Sequence, residues 1–432
     1  MPQEITGQPR RVVVGGVHWR HTFASLRHRN FRLFFFGQLL SLIGTWVQTT
    51  AQAWLIYQLT NSKLWLGTLA AVGSAPMLLF SVWGGSLADR HAKRTVLLWT
   101  QAAMMLFALA LAVLTSSGAV RPWHIMGLAA LGGIAMAFDM PARQAFMVEI
   151  TSREDLINAI SLNSSIVNGA RVVGPALAGF LMAKTNVASC FFLNAASFIA
   201  VLTGLALMRL PKFVSVQSSA STWHHALEGF RYVAKHQPVR RLLLLFGIVG
   251  VFGWSYSVLM PALAREVFGV GESGYSALLS ANGLGALLGA LTTATFGTRI
   301  KPRKLIFGGL GVFSAMLVLL GLIPNYQVAL AGFTIAGWGM MLYFSTTNTL
   351  VQTSVSDEMR GRVMGIWALV FGGMLPLGAL QAGALSQWIG VRWTIAAGGL
   401  VCALAGFILW RVVRRNTSPN GPSAVAASRK ET

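Results

Sequence analysis

Apolar runs of about twenty residues recur from one end of this chain to the other. Each is long enough to cross a hydrocarbon layer of roughly 30 Å as a helix. No soluble core needs twelve such runs, and in lipid the backbone groups of each must be satisfied within its own helix. The runs fall at 31–56, 64–86, 95–117, 123–141, 159–182, 187–208, 242–263, 275–296, 305–323, 327–349, 364–386 and 393–410. Only 11% of residues are charged, against roughly a quarter in a typical soluble protein. The expected fold is an all-α polytopic membrane protein with twelve transmembrane helices.

A net charge of +22 would suggest a nucleic-acid partner in a soluble chain. Its distribution argues against that here. With the N-terminus on the inner side, 28 of the 34 Lys and Arg fall on inner segments and five on outer loops. The positive-inside rule then places both termini in the cytoplasm. The basic excess reads as a topology signal with an attraction to anionic lipid, and no nucleic-acid partner is expected. Cys190 and Cys402 lie in or beside apolar spans and offer neither a disulfide framework nor metal spacing. No cleavable leader pattern precedes the first span, which is read as a retained helix.

The long polar interruption at the centre divides the chain. The reading gives a cytoplasmic arm at 1–30, a six-helix half at 31–209, a cytoplasmic central loop at 210–241, a second six-helix half at 242–411 and a disordered cytoplasmic tail at 412–432. Within the central loop, "TWHHALEGFRYVAKH" predicts an amphipathic helix. It lies either in the inner membrane interface or as a linker without lipid contact. The halves echo each other: "WLGTLAAVGSAPMLLFSVWGG" aligns with "YSALLSANGLGALLGALTTAT" at an offset of 210, pairing Gly73 with Gly283 and Lys93-Arg94 with Arg303-Lys304. Such duplication favours a transporter with its site between the halves.

After the second span comes "GGSLADRHAKRTVLL". Gly85, Leu87, Ala88, Asp89, Arg90 and the basic pair Lys93 and Arg94 resemble the loop signature of the major facilitator superfamily, with Ala92 in place of the second glycine. That family resemblance implies a conformational latch built from Asp89, Arg90, Lys93 and Arg94, with Asp139 and Arg143 of "FDMPARQAF" as its partners on the fourth span. "RVVGPALAG" resembles the superfamily's glycine-proline exporter motif through Gly174, Pro175 and Gly179, expected to act as a hinge and packing element. Two longer stretches, from Met140 and from Asp357, are similar to the branch holding enterobactin exporters and related secretion and drug-efflux proteins.

The first span carries Gln38, Ser41, Thr45, Gln48 and Gln52 on one helical face. Amides are costly against lipid tails, so this face should look into the bundle, with Gln48 and Gln52 as substrate contacts. On the fifth span Ser164, Asn168, Arg171 and Pro175 share a face. Arg171 lies about 18 Å along its helix and stays charged, so it must meet an anion, an acid or several carbonyls. As a structural residue Arg171 would bind carbonyls freed near Pro175 or a neighbouring amide. As a functional one it would attract an anionic or electron-rich substrate, and on that reading Asn168 and Arg171 are expected at the substrate site. Trp254 and Tyr256 of the seventh span are expected there too. Met136, Phe138, Trp338 and Tyr343 are further aromatic or thioether candidates. No acid falls at the centre of a span; Asp89, Asp139 and Glu149 are placed near the inner surface and Glu266 near the outer one.

The resulting expectation is a monomeric secondary exporter in the cell inner membrane. It moves a small amphipathic molecule, such as a siderophore or drug, by alternating access with proton antiport. An importer or facilitator, and a non-transporting sensor or scaffold, are the alternatives. No G-x-x-x-x-G-K-[ST] stretch occurs, which excludes an ATP-driven pump of that type. No enzyme chemistry, metal or cofactor is expected.

Overall fold

The computed structural model describes residues 23–152, 154–210 and 222–416. The first part of the expected arm, most of the tail and the start of the central loop lie outside them. The chain is helical almost throughout. Six helices form the first half: α1 (Arg29–Thr60), α2 (Lys63–Arg90), α3 (Lys93–Ser116), α4 (Pro122–Glu149), α5 (Leu156–Lys184) and α6 (Val187–Leu207). A short α7 (Thr222–Lys235) leads to α8 (Gln237–Ile248), whose path continues irregularly to Val267. The second half is completed by α9 (Glu272–Phe296), α10 (Pro302–Leu322), α11 (Tyr326–Thr353), α12 (Asp357–Ile389) and α13 (Val391–Asn416).

Eleven helical segments among the described residues are long and apolar enough to span a membrane. The remaining long helix, α1, has 32 residues but is too polar to join them by composition. The cause is its stripe of glutamine, serine and threonine, which the bundle hides: Gln38 and Ser41 are buried. Helices joined by two to six residues must turn sharply. The positive φ angles accordingly fall at far-side turns, at Asn61, Gly118, Gly269 and Gly390.

The packing repeats between halves. In the first, α1 packs on α5 and α6, α2 on α4, and α3 on α4 and α6. In the second, the α8 path packs on α12 and α13, α9 on α11, and α10 on α11 and α13. Glycines set the close approaches, because helices inside a membrane gain most from contact where small residues let their backbones meet. A Cβ at Gly339 would lie 2.7 Å from the Gly309 carbonyl of α10, and one at Gly289 would meet the Trp338 carbonyl at the same distance. Across the halves, α2 packs along α12 and α5 along α9.

The expected helix in the central loop is present as α7. It leans on α12, where Glu228 and Arg362 pair at 2.7 Å and Val233 is buried, while Phe230 is exposed.

Candidate functional site

The seventh span is not one helix. After Ile248 the path passes through a π-helical turn (Val249–Gly253), a 3-10 turn (Trp254–Ser257), one α turn (Met260–Ala262) and a second π turn (Leu263–Val267). Gly247, Gly250, Gly253 and Pro261 signal this in the sequence, since glycine weakens a helix and proline removes a donor. The irregular stretch turns Ser257 and Val258 toward the first half.

They close one side of a cavity of about 460 Å³. Its other walls come from α1 (Thr45, Trp46, Gln48, Gln52), α2, α3, α4, α6 and α9. The predicted polar face of α1 therefore divides. Thr45, Gln48 and Gln52 line the cavity, whereas Gln38 is buried below it and accepts from Arg143 at 2.5 Å. Gln48 accepts from Asn194 of α6 at 2.7 Å, and Gln52 donates to the Ile125 carbonyl of α4 at 3.4 Å. Met136 also lines the cavity, along with Met104, Phe107 and Phe198. Apolar walls with a few convergent amides suit an amphipathic ligand.

Arg171 sits outside the lining, midway along α5 at the contact with α9. Its Nη2 donates to Asn282 Oδ1 at 3.3 Å, and its guanidinium lies 6.0 Å from the Trp46 ring centroid. Of the partners expected for it, a neighbouring amide is the one the structure supplies. That amide oxygen and an indole face meet it, a cation–π arrangement that Arg accepts well. Asn282 is fixed in turn by donating to the Phe333 carbonyl at 3.2 Å. Sequence reasoning missed Asn282; an asparagine inside an apolar span was the available signal.

Asn168 does not join Arg171, since its amide donates back to the Ser164 carbonyl at 2.8 Å. Trp254 does not line the cavity. It packs edge-on against Phe344 and Phe371, beside the Phe246–Trp367 stack. Tyr256 is buried between Phe313 and Phe333, and Tyr343 is fully buried. Trp338 donates to Thr292 at 3.1 Å within the second half.

The glycine-proline motif lies in an unbroken α5. Gly174 faces α1, where a Cβ would stand 3.2 Å from the Ile43 carbonyl. Gly179 faces α9, where it would stand 2.6 Å from Ser276 Cβ. Pro175 is buried between them.

The loop charges find other partners than those expected. Asp89 and Arg90 are exposed; Lys93 pairs with Glu149 at 2.6 Å, and Arg94 donates to the Ala206 carbonyl at 2.8 Å. Asp139 is paired with Arg143, one turn along the same helix, and accepts from Thr100 at 2.8 Å and Gln101 at 2.7 Å. It is fully buried, ten residues or about 15 Å from the end of α4, and is not a surface acid. Arg143 is simply nearer to it than the loop is, and a buried carboxylate takes the nearest cation.

On the side away from the termini, Glu266 accepts from Tyr57 at 2.5 Å and pairs with Lys63 at 3.1 Å, while Gln387 donates to Ser62 at 3.0 Å. These bonds cross between the halves, as do Arg171–Asn282 and the Ser280 bond to the Val172 carbonyl. These five contacts between the halves lie from mid-height to this far side.

The whole chain resembles known transporters. It is 26% identical over 393 residues to the staphyloferrin A transporter of Staphylococcus aureus, covering 89% of this chain and 96% of the relative. It is 26% identical to the multidrug efflux pump Tap of Mycolicibacterium fortuitum, over 87% and 94% of the two chains. The enterobactin exporter EntS of Escherichia coli O1:K1 is 27% identical, over 89% and 92%. Among solved structures, an inward-facing, unoccupied bacterial homolog of the human lysosomal transporter Spinster superposes with a TM-score of 0.71 at 15% identity, over 92% and 98% of the chains. A mutant of the nucleoside transporter NupG gives 0.73 at 13% identity, over 88% and 98%. The transmembrane secretion effector model matches residues 20–427, and the chain belongs to that family of major facilitator transporters.

Proposed function

We propose that this protein is a secondary exporter, a proton antiporter that moves a small amphipathic molecule such as a siderophore or drug outward by alternating access. The observation that carries this reading is the amide-bearing cavity beneath a set of bonds that join the halves on the side away from the termini. With the termini in the cytoplasm, as the distribution of Lys and Arg supports, the joined side is external and the conformation faces inward. The names of the siderophore-exporting and drug-exporting relatives support the direction and the substrate class.

Gln48 and Gln52 would hold polar groups of the substrate, with Met104, Met136, Phe107 and Phe198 against its apolar body. Arg171 would enter the site when α5 and α9 part, since its bond to Asn282 spans that contact. Gly174, Pro175 and Gly179 let α5 move against α1 and α9. Asp89, Arg90, Lys93 and Arg94 would act with Glu149 and the end of α6 on the cytoplasmic side. Glu266 would help hold the external side closed through its bonds to Tyr57 and Lys63. The working unit is taken as one chain, needing no cofactor.

Uptake into inverted membrane vesicles tests the proposal, with a panel of siderophores and antibiotics and with or without a proton gradient. Gradient-dependent accumulation of at least one compound is expected. Transport unchanged after collapse of both pH gradient and membrane potential would remove proton coupling, and no uptake of any compound would remove the exporter reading.

A further inference from the structure

The duplicated halves place matching basic pairs at the start of α3 and of α10. In the first half, Lys93 is neutralised by Glu149, and Arg94 caps carbonyls at the end of α6. The corresponding pair in the second half, Arg303 and Lys304, opens α10, and α10 packs on α13 as α3 packs on α6. The end of α13 brings a further cation to this pair. Arg303, Lys304 and Arg414 line one cleft of about 210 Å³ together with Phe307, Trp410 and Val413.

Two features give the cleft a direction. The last turns of α13 present cations over rings: Arg414 lies 5.2 Å from the Trp410 ring centroid, and Arg411 lies 5.2 Å from that of Phe407. Just along the same helix, Leu400, Leu404, Phe407 and Ile408 are half-exposed or more, forming an apolar strip that ends at the cations. A tryptophan between an apolar strip and arginines marks the boundary of hydrocarbon and headgroup. The first turn of α10 adds backbone N–H groups and the positive end of a helix dipole.

We propose that this cleft is a binding site for an anionic phospholipid, the phosphodiester seated among Arg303, Lys304 and Arg414 with acyl chains along α13. Three cations converging on one cleft create a local positive potential, and basic clefts between spanning helices are suited to such headgroups. A phospholipid fits better than a free phosphate because the strip beside the cations is apolar and continuous with the spanning face.

The test is native mass spectrometry of the purified full-length protein offered equal amounts of phosphatidylglycerol and phosphatidylcholine. Wild type should retain phosphatidylglycerol in preference by about ten-fold. The R303Q/K304Q/R414Q variant should lose most of that preference, and an R231Q/K235Q/R240Q variant, equal in charge but elsewhere on the same side, should keep it. Inorganic phosphate in excess should not displace the lipid. The proposal is overturned by a wild type without preference, by equal loss in both variants, or by displacement with phosphate alone. If the triple variant does not fold, R414Q alone is read in its place, with the wild-type preference standing as an independent criterion. Transport activity does not enter this readout, so it is separable from the exporter reading.

Discussion

Arg171 of α5 donates across the boundary between the halves to the side-chain oxygen of Asn282 on α9, at 3.3 Å. The bond holds a charge at mid-height of the bundle, where an unsatisfied guanidinium is costly. Asn282→Leu should leave Trp46 as its recorded neighbour and cost about 1–3 kcal/mol, read as a lower unfolding temperature in detergent. Arg171→Ala should insert normally and transport more slowly. Normal kinetics in that variant would end its role in the substrate path.

Glu266 gathers Tyr57 and Lys63 from the other half. Glu266→Gln keeps the shape and removes the charge, so the far side should open more often. A cysteine at Ser62, beside Gln387, should then react faster with an impermeant thiol reagent applied from that side. Unchanged labelling would show that the pair does not hold the halves together.

Asp139→Asn should leave Arg143 with an amide in place of a carboxylate inside the bundle. Breaking a buried pair from one side costs about 3–5 kcal/mol, and the paired change Asp139→Asn with Arg143→Gln should recover part of it. Chemical unfolding of the three variants decides this. A loss in the double variant equal to the sum of two singles would mean that the residues act independently.

Acid sensitivity has a separate source at the loop between α4 and α5. The Asp155 carboxyl is held below the ordinary aspartate value of 3.8, chiefly by its hydrogen bond with His28, opposed by burial and reinforced by Arg27. A carboxyl with a depressed folded value contributes stability above its unfolded value, and loses it as pH falls through the folded one. Melting temperature should therefore drop as pH falls below about 4, less steeply in Asp155→Asn. Equal slopes would assign the acid sensitivity to other groups.

Gln48 faces the cavity with its oxygen already occupied by Asn194. Gln48→Leu should raise KM for the transported compound about ten-fold with little change in maximal rate, the pattern of a lost ground-state contact. Equal effects on KM and maximal rate would instead point to a role in the moving step.

Much of the architecture can be read from apolar length, because lipid permits few alternatives to the helix. The repeat is legible too, in the shared offset of Lys93-Arg94 and Arg303-Lys304. Local pattern fails where a side chain chooses among distant partners. Asp139 reads as an interfacial acid because its helix runs beyond the apolar stretch, yet Thr100 and Gln101 of α3 enclose it. Arg171 is visible as an oddity, but its partner on α9 is set by how two halves dock, which no spacing encodes. Residue type alone puts Trp254 with the substrate; the 3-10 turn directs it into an aromatic cluster while Ser257 takes the wall.

The walls of the cavity are unequally shared: α1, α2, α3, α4 and α6 supply most of them, and the second half adds Ser257, Val258, Tyr275 and Leu279. On the exporter reading proposed above, the first half would carry most of the recognition surface as well as the hinge glycines of α5. Substitutions in the first six helices would then retune what is carried while the docking partners on α9 and α12 stay fixed. On that reading, selection for a new cargo would act mainly on one half of the chain.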